Sequence, residues 1–251
     1  TVGGGVLPAY IGDLGVDTPE VQLFFAKHLL TASVLSAPAA IISAKILLPE
    51  TEDVIEVAEI SSADMGSNAL DAISNGTTEG VKLAVNVGAM LLVFTAIVYG
   101  ANYIFVEGVG SWTGLNAWAA EVTNGRYDSF SLQFIMGALL SPIAWILGVP
   151  PADLMLVGQL LGEKTILNEF YAYVSLTEMR NEGLFTSERS VILSTYMLCG
   201  FANIASIGIQ IGGIGVLAPS RRKDLSELSI KALIAGTVAS LYTAAIVGLM
   251  I

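Results

Sequence analysis

Five residues that can hydrogen-bond or carry charge, Gln159, Glu163, Lys164, Asn168 and Glu169, interrupt an otherwise apolar run of this 251-residue chain. Further on, Asn203, Ser206 and Gln210 sit inside residues 191–218, which contain no charge but carry glycines at 200, 208, 212, 213 and 215. A carboxylate, an amide and a hydroxyl offer acceptors and donors side by side, which suits holding a ligand or an ion. Bond-breaking chemistry would need a nucleophile with a base, or paired aspartates at depth. The single histidine, His28, lies near the end of an apolar stretch and reads as an interfacial packing residue. The chain is not read as an enzyme.

These polar groups must be positioned by elements that live in lipid. Of the residues, 54% are hydrophobic and only 13% are charged, with a mean hydropathy of +0.71. A soluble domain carries about a quarter charged residues. Apolar runs long enough to cross a hydrocarbon core of ~30 Å recur, so the fold class is an all-α polytopic membrane protein. The net charge of −11 argues against a nucleic-acid partner, which demands clustered Lys and Arg. One cysteine, Cys199, excludes an intrachain disulfide. The chain opens without Met on an apolar Thr-Val-Gly-Gly-Gly, which reads as the C-terminal part of a longer protein.

Along the chain, residues 1–48 read as the end of one broken helix followed by the first full span, with Pro19 at its start and Pro38 inside it. Residues 49–79 read as an acidic soluble loop with short surface helices. A second span is expected over 80–106, then a polar loop holding Trp112 and Trp118 at the headgroup level. Residues 129–148, with Pro142, suggest an interfacial or tilted helix. A last span is expected over 224–251. The Arg221-Arg222-Lys223 cluster favours a cytoplasmic acidic loop and an outside C-terminus.

Between these lie two unusual segments. After Glu169 only about ten residues precede the polar turn, and at 1.5 Å each they reach ~15 Å, half a bilayer. Residues 150–180 therefore read as a re-entrant hairpin turning at Asn168-Glu169, its tip buried in protein or facing water. An acid at mid-depth is a functional candidate because its insertion costs roughly 2.5–3.5 kcal/mol. The competing reading is an ordinary span with Glu163 paired to Lys164. Residues 188–219 read as a broken helix with an irregular joint around 200–208, freeing backbone groups and the Asn203 and Ser206 side chains for a ligand. Close packing through small residues, with Asn and Ser bonded across helices, is the competing reading there. Gly3-Gly4-Gly5-Val-Leu-Pro8 echoes Gly212-Gly213-Ile-Gly215-Val-Leu-Ala-Pro219, as the truncated first copy of an inverted repeat would.

At "LGEKTILNEFYAY" and "LCGFANIASIGIQIGGIGVLAPSRRKDLSELSIKALIAGTVAS" the chain resembles the concentrative nucleoside transporter family. "AISNGTTEGVKLAVNVGAMLLVF" is similar to the family's segment before its second hairpin, and "HLLTASVLSAPAAIISAKILLPE" to its fifth helix. The resemblance covers nearly all of the chain, from the family's fourth helix onward. It implies a homotrimeric symporter of nucleosides in the cell membrane, driven by Na+ in preference to H+ and needing no cofactor. Each protomer would slide a transport domain against a scaffold. In that family the acid of the second hairpin and the broken seventh helix bind ribose. Carried over, these are Glu169, Asn203 and Ser206, with Phe201 beside the bound nucleoside.

The family's first hairpin, which makes most base contacts and much of the sodium site, has no counterpart here, although residues 1–5 could border that site. This chain alone is accordingly expected not to transport. The alternative is a non-transporting helical membrane scaffold or receptor subunit, which would show no substrate dependence on Glu169. A channel fits less well, since a hairpin facing a broken helix suits occlusion of a small solute.

Overall fold

The computed structural model describes residues 6–15, 18–49, 51, 68–217 and 219–251, and among these every regular element is helical. Residues 1–5, and with them the first half of the glycine echo, lie outside the described residues. The chain divides into two compact units, Thr1–Pro49 with Ala101–Ile251, and Glu50–Gly100.

In the larger unit, α1 (Leu7–Leu14) leads to α2 (Pro19–Leu47). The start of α2 is specified locally: Thr18 Oγ1 accepts a bond from the Val21 amide at 3.3 Å, Pro19 takes the first position and Glu20 the first turn. Phe25, Leu29, Ala32, Ser36, Ala39 and Ser43 recur every three or four residues and form its buried face. Leu23, Leu30, Val34 and Ile41 point outward. An apolar outward face is at home in lipid and costly in water. The C-terminal helix α11 (Arg222–Gly248) packs against α2. Among the described residues, α2 and α11 are long and apolar enough to cross a membrane.

The smaller unit departs from the sequence expectation. Helix α3 (Ala69–Tyr103) begins eleven residues before the expected start at 80, so 69–79 are helix rather than loop. The surface helices expected earlier in that loop fall on residues 52–67, outside the described residues. The early start has a local cause: Asn68 Oδ1 accepts a bond from the Asp71 amide at 3.0 Å, a side-chain cap. Thr77 and Thr78 then satisfy their hydroxyls on the carbonyls of Ile73 and Ser74, so polar residues pass without breaking the helix.

Helix α3 ends at Tyr103, three residues short of the expected boundary, and a π-helical stretch, Ile104–Gly110, follows. The expected polar loop 107–128 is largely helical too: α4 (Ser111–Thr113) and α5 (Leu115–Val122) are separated by Gly114 at φ 76°. Glycine meets that left-handed conformation without steric cost. Asn116 organises the corner, its Nδ2 donating to Val106 O at 3.0 Å and its Oδ1 accepting from the Phe130 amide at 2.9 Å. Trp112 is 91% exposed.

Helix α6 (Leu132–Ile146) occupies the expected 129–148 segment, with Pro142 inside it. Its 15 residues span roughly 22 Å, short of a full crossing. Ser131 Oγ caps it, accepting from the Phe134 amide at 3.2 Å. Ser131→Ala is expected to cost about 1 kcal/mol of stability, a modest fall in thermal unfolding midpoint in detergent.

Helix α6 packs along α7 (Leu154–Ile166). The next helix, α8 (Glu169–Asn181), begins after a break at Leu167-Asn168, where Asn168 Oδ1 accepts from the Tyr171 amide at 2.9 Å. Residues 151–179 are thus not one continuous helix. Nor does Glu163 pair with Lys164: Glu163 accepts from Gln159 Nε2 at 2.8 Å, while Lys164 turns to other partners described below.

A second break separates α9 (Glu188–Leu198) from α10 (Ile204–Leu217). The joint spans only 199–203, shorter than the expected 200–208, and Gly208 lies within α10. The cause is a reciprocal cap. The Ser206 amide donates to Asn203 Oδ1 at 2.7 Å, and the Asn203 amide donates to Ser206 Oγ at 3.2 Å, which restarts the helix early. The buried carboxylate of Asp153 steadies the entry to α9, accepting from the Thr186 amide and hydroxyl at 3.0 and 2.9 Å and from Ser190 Oγ at 2.5 Å.

Candidate substrate site at two helix breaks

The two breaks meet. Glu169 is the first residue of α8 and is 4% exposed; Asn203, at the end of the other joint, is 3% exposed. Asn203 Nδ2 donates to Glu169 Oε2 at 3.1 Å, and the Tyr10 hydroxyl donates to Glu169 Oε1 at 3.2 Å. Each carboxylate oxygen therefore has its own donor, one from α1 and one from the joint between α9 and α10. The N-terminal end of α8 adds partial positive charge beside the carboxylate.

Asn203 serves both structure and site. Its side-chain oxygen caps α10 while its nitrogen reaches Glu169. Ser206 belongs to the same turn, with its hydroxyl donating to Asn203 O at 2.6 Å. It sits one helical turn from Asn203, and its hydrogen bonds go to that residue rather than to Glu169. Phe201 lies within the joint with 43% of its surface exposed, which leaves an aromatic face available for stacking.

Tyr10 was not singled out from the sequence. It is fully buried, stacks on Tyr173 with ring centroids 4.3 Å apart, and approaches Phe170 at 6.2 Å. Tyr173 in turn donates to Thr195 O at 2.7 Å. No spacing rule links a tyrosine to an acid 159 positions away. His28 also has a more definite place than interfacial packing: its Nδ1 is 3.0 Å from the Tyr196 hydroxyl, tying α2 to α9.

A second polar chain runs from the loop after α5 into α7. The Tyr127 hydroxyl donates to Gln159 Oε1 at 2.8 Å, and Gln159 passes a bond on to Glu163. Burial foremost, then the Glu163 carboxylate, push the Tyr127 phenol above its ordinary range, so it stays a donor. Among the described residues no group of three or more His, Cys, Asp or Glu could hold a metal ion.

Two helix breaks that bring a carboxylate and an amide together form the kind of arrangement that transporters use for substrate and ion sites. The comparisons with known proteins carry this to a family. Residues 28–248 match the family described as "Na+ dependent nucleoside transporter C-terminus". The chain is 38% identical to the human "Solute carrier family 28 member 3" over 266 residues, covering all of this chain and 35% of that protein. It is 35% identical to the Helicobacter pylori "Nucleoside permease NupC" over 253 residues, covering all of this chain and 55% of that one. Among solved structures, "CNTnw in an inward-facing substrate-bound state" matches with a TM-score of 0.76 and 35% identity, over 99% of this chain and 54% of that one.

The chain belongs to the Na+ dependent nucleoside transporter family and is similar to the C-terminal part of its members. It spans about half the length of the bacterial relatives it matches. The family is one of transporters, not enzymes.

Proposed function

We propose that this chain is the C-terminal transport region of a multi-pass symporter in the cell membrane that moves nucleosides with a coupling cation, Na+ before H+. The observation that carries the reading is the bond between Glu169 and Asn203, which joins the tips of two interrupted helices. A ribose presents neighbouring hydroxyls that act as donor and acceptor at once. A carboxylate beside a carboxamide complements such a pair, and the sugar could take over the bonds these side chains now exchange. Phe201, half-exposed in the same joint, would flank the base.

In this reading α7 and α8 are the two arms of a re-entrant hairpin. Each has 13 residues, roughly 20 Å of helix, too short to cross alone. The family's names for its members support sodium coupling: a rat relative, 35% identical and 38% covered, is named "Sodium/nucleoside cotransporter 1". The inverted repeat and the homotrimer belong to the complete protein and rest on the family resemblance.

The test uses nucleosides and analogues lacking single ribose hydroxyls, in competitive uptake by the complete protein. Asn203→Ala removes a neutral hydrogen bond worth about 1 kcal/mol, so affinity should fall roughly fivefold. The loss should shrink for the analogue lacking the hydroxyl that Asn203 meets. Equal losses for nucleosides and every deoxy analogue would defeat the ribose assignment.

A further inference from the structure

Lys164 lies five residues before Glu169 in α7, and its side chain is fully buried. Its ammonium donates to Met197 O at 2.8 Å and to Ser240 Oγ at 2.7 Å. Met197 is in the last turn of α9, immediately before the joint, where the helix leaves carbonyls without intrahelical partners. Ser240 belongs to α11 and passes its own hydroxyl bond to Thr237 O at 2.8 Å. Gly200 lies directly over this junction: a methyl on it would stand 3.7 Å from Lys164 Nζ and 3.5 Å from Ser240 Cβ.

A cation bonded to the last carbonyls of a helix satisfies them and meets the negative end of the dipole. A buried ammonium needs several acceptors, which fixes the geometry around it. The cap is supplied from α7, the helix that leads into the break before Glu169, and the helix end it holds continues, six residues later, into Asn203. One side chain thus joins the acid-bearing element, the broken helix and the last helix at a single point.

We infer that Lys164 is a positioning residue of the substrate site: by capping the broken end of α9 at Met197 O and anchoring it to Ser240, it sets the placement of Asn203 against Glu169. This rests on the nucleoside reading of that site. The role is indirect, because Lys164 acts through Asn203, and this makes it separable from simple packing.

The experiment is a double-mutant cycle on uridine affinity in the full-length protein, measured by direct binding to purified, monodisperse samples. Lys164→Met, which keeps much of the stem and drops the charge, is expected to weaken binding by up to about fivefold, no more than Asn203→Ala itself, because its effect passes through that side chain. In the Asn203→Ala background the same change should cost about twofold or less, because the group that Lys164 positions is already gone. Ser240→Ala should show the same pattern at smaller amplitude. Should Lys164→Met fail to yield folded protein, the cycle is read from Ser240→Ala and Asn203→Ala alone.

Additive losses in the cycle overturn the inference, since they assign Lys164 or Ser240 an effect that does not pass through Asn203. Unchanged affinity in the single variants overturns it equally. Absence of uridine binding by the unmodified protein would instead overturn the nucleoside reading, so the two failures are distinguishable.

Discussion

Glu169→Gln in the complete transporter should lower nucleoside affinity about ten- to more than a hundredfold while leaving the protein folded. The substitution keeps the shape of the side chain and removes its charge. A hydrogen bond to a charged group is worth roughly 1.5–3 kcal/mol, and 1.4 kcal/mol is a factor of ten. The amide also places a donor where one carboxylate oxygen accepted, and both oxygens face donors, the Tyr10 hydroxyl and Asn203 Nδ2. One of those contacts becomes donor against donor, which a tyrosine hydroxyl can escape by rotating and an amide only by flipping. The loss should exceed that of Asn203→Ala and should shrink for a deoxy analogue that cannot reach the carboxylate. Titration of purified protein with uridine and with its deoxy analogues measures both quantities. An affinity equal to that of the unmodified protein would remove Glu169 from the site.

Gly158→Val should have the largest effect on folding. Gly158 lies in α7 where that helix crosses α6, and the two backbones approach closely. A Cβ on Gly158 would stand 2.5 Å from Gly137 O, 2.9 Å from Ser141 N and 3.1 Å from the Leu140 carbonyl carbon. These are backbone atoms, so no rotamer change relieves the clash. The contact is reciprocal, because a Cβ on Gly137 would stand 2.7 Å from Met155 O. Membrane helices associate through such small residues, with dispersion rather than hydrophobic burial as the driving term. Overpacking typically costs 1–3 kcal/mol, and with rigid partners on three sides the upper end applies, about 3 kcal/mol. The folded yield and thermal midpoint in detergent should fall sharply for Val and less for Gly158→Ala. Normal yield and stability for Gly158→Val would show that α6 and α7 do not cross this closely.

The chain's own residues announced where helices must stop better than where they begin. A run too short to cross after Glu169, and glycine with Asn and Ser in an uncharged segment, put both breaks in the right neighbourhoods. The exact joint at 199–203 depended on the reciprocal bonds of Asn203 and Ser206, a capping pattern written in these residues but masked by glycines that suggested a longer irregular stretch. Composition misled at 69–79, where polar residues read as loop while Asn68 and the threonines satisfied themselves locally and allowed α3 to start early. Tyr10, the acceptors of Lys164 and the Gly137–Gly158 crossing were invisible for a different reason: each depends on residues distant in sequence meeting in space. Family resemblance supplied the ribose assignment, which residue types alone could only have left as a generic ligand or ion site.

The central claim is that Glu169 and Asn203 serve cation-coupled nucleoside transport. It is tested most directly by uptake of labelled uridine and adenosine into vesicles containing the full-length protein, with and without an inward sodium gradient, for the unmodified protein and for Glu169→Gln. The account predicts gradient-driven accumulation that collapses when sodium is absent and falls strongly in the variant. Uptake that ignores every cation gradient, or that is undiminished by Glu169→Gln, would contradict it.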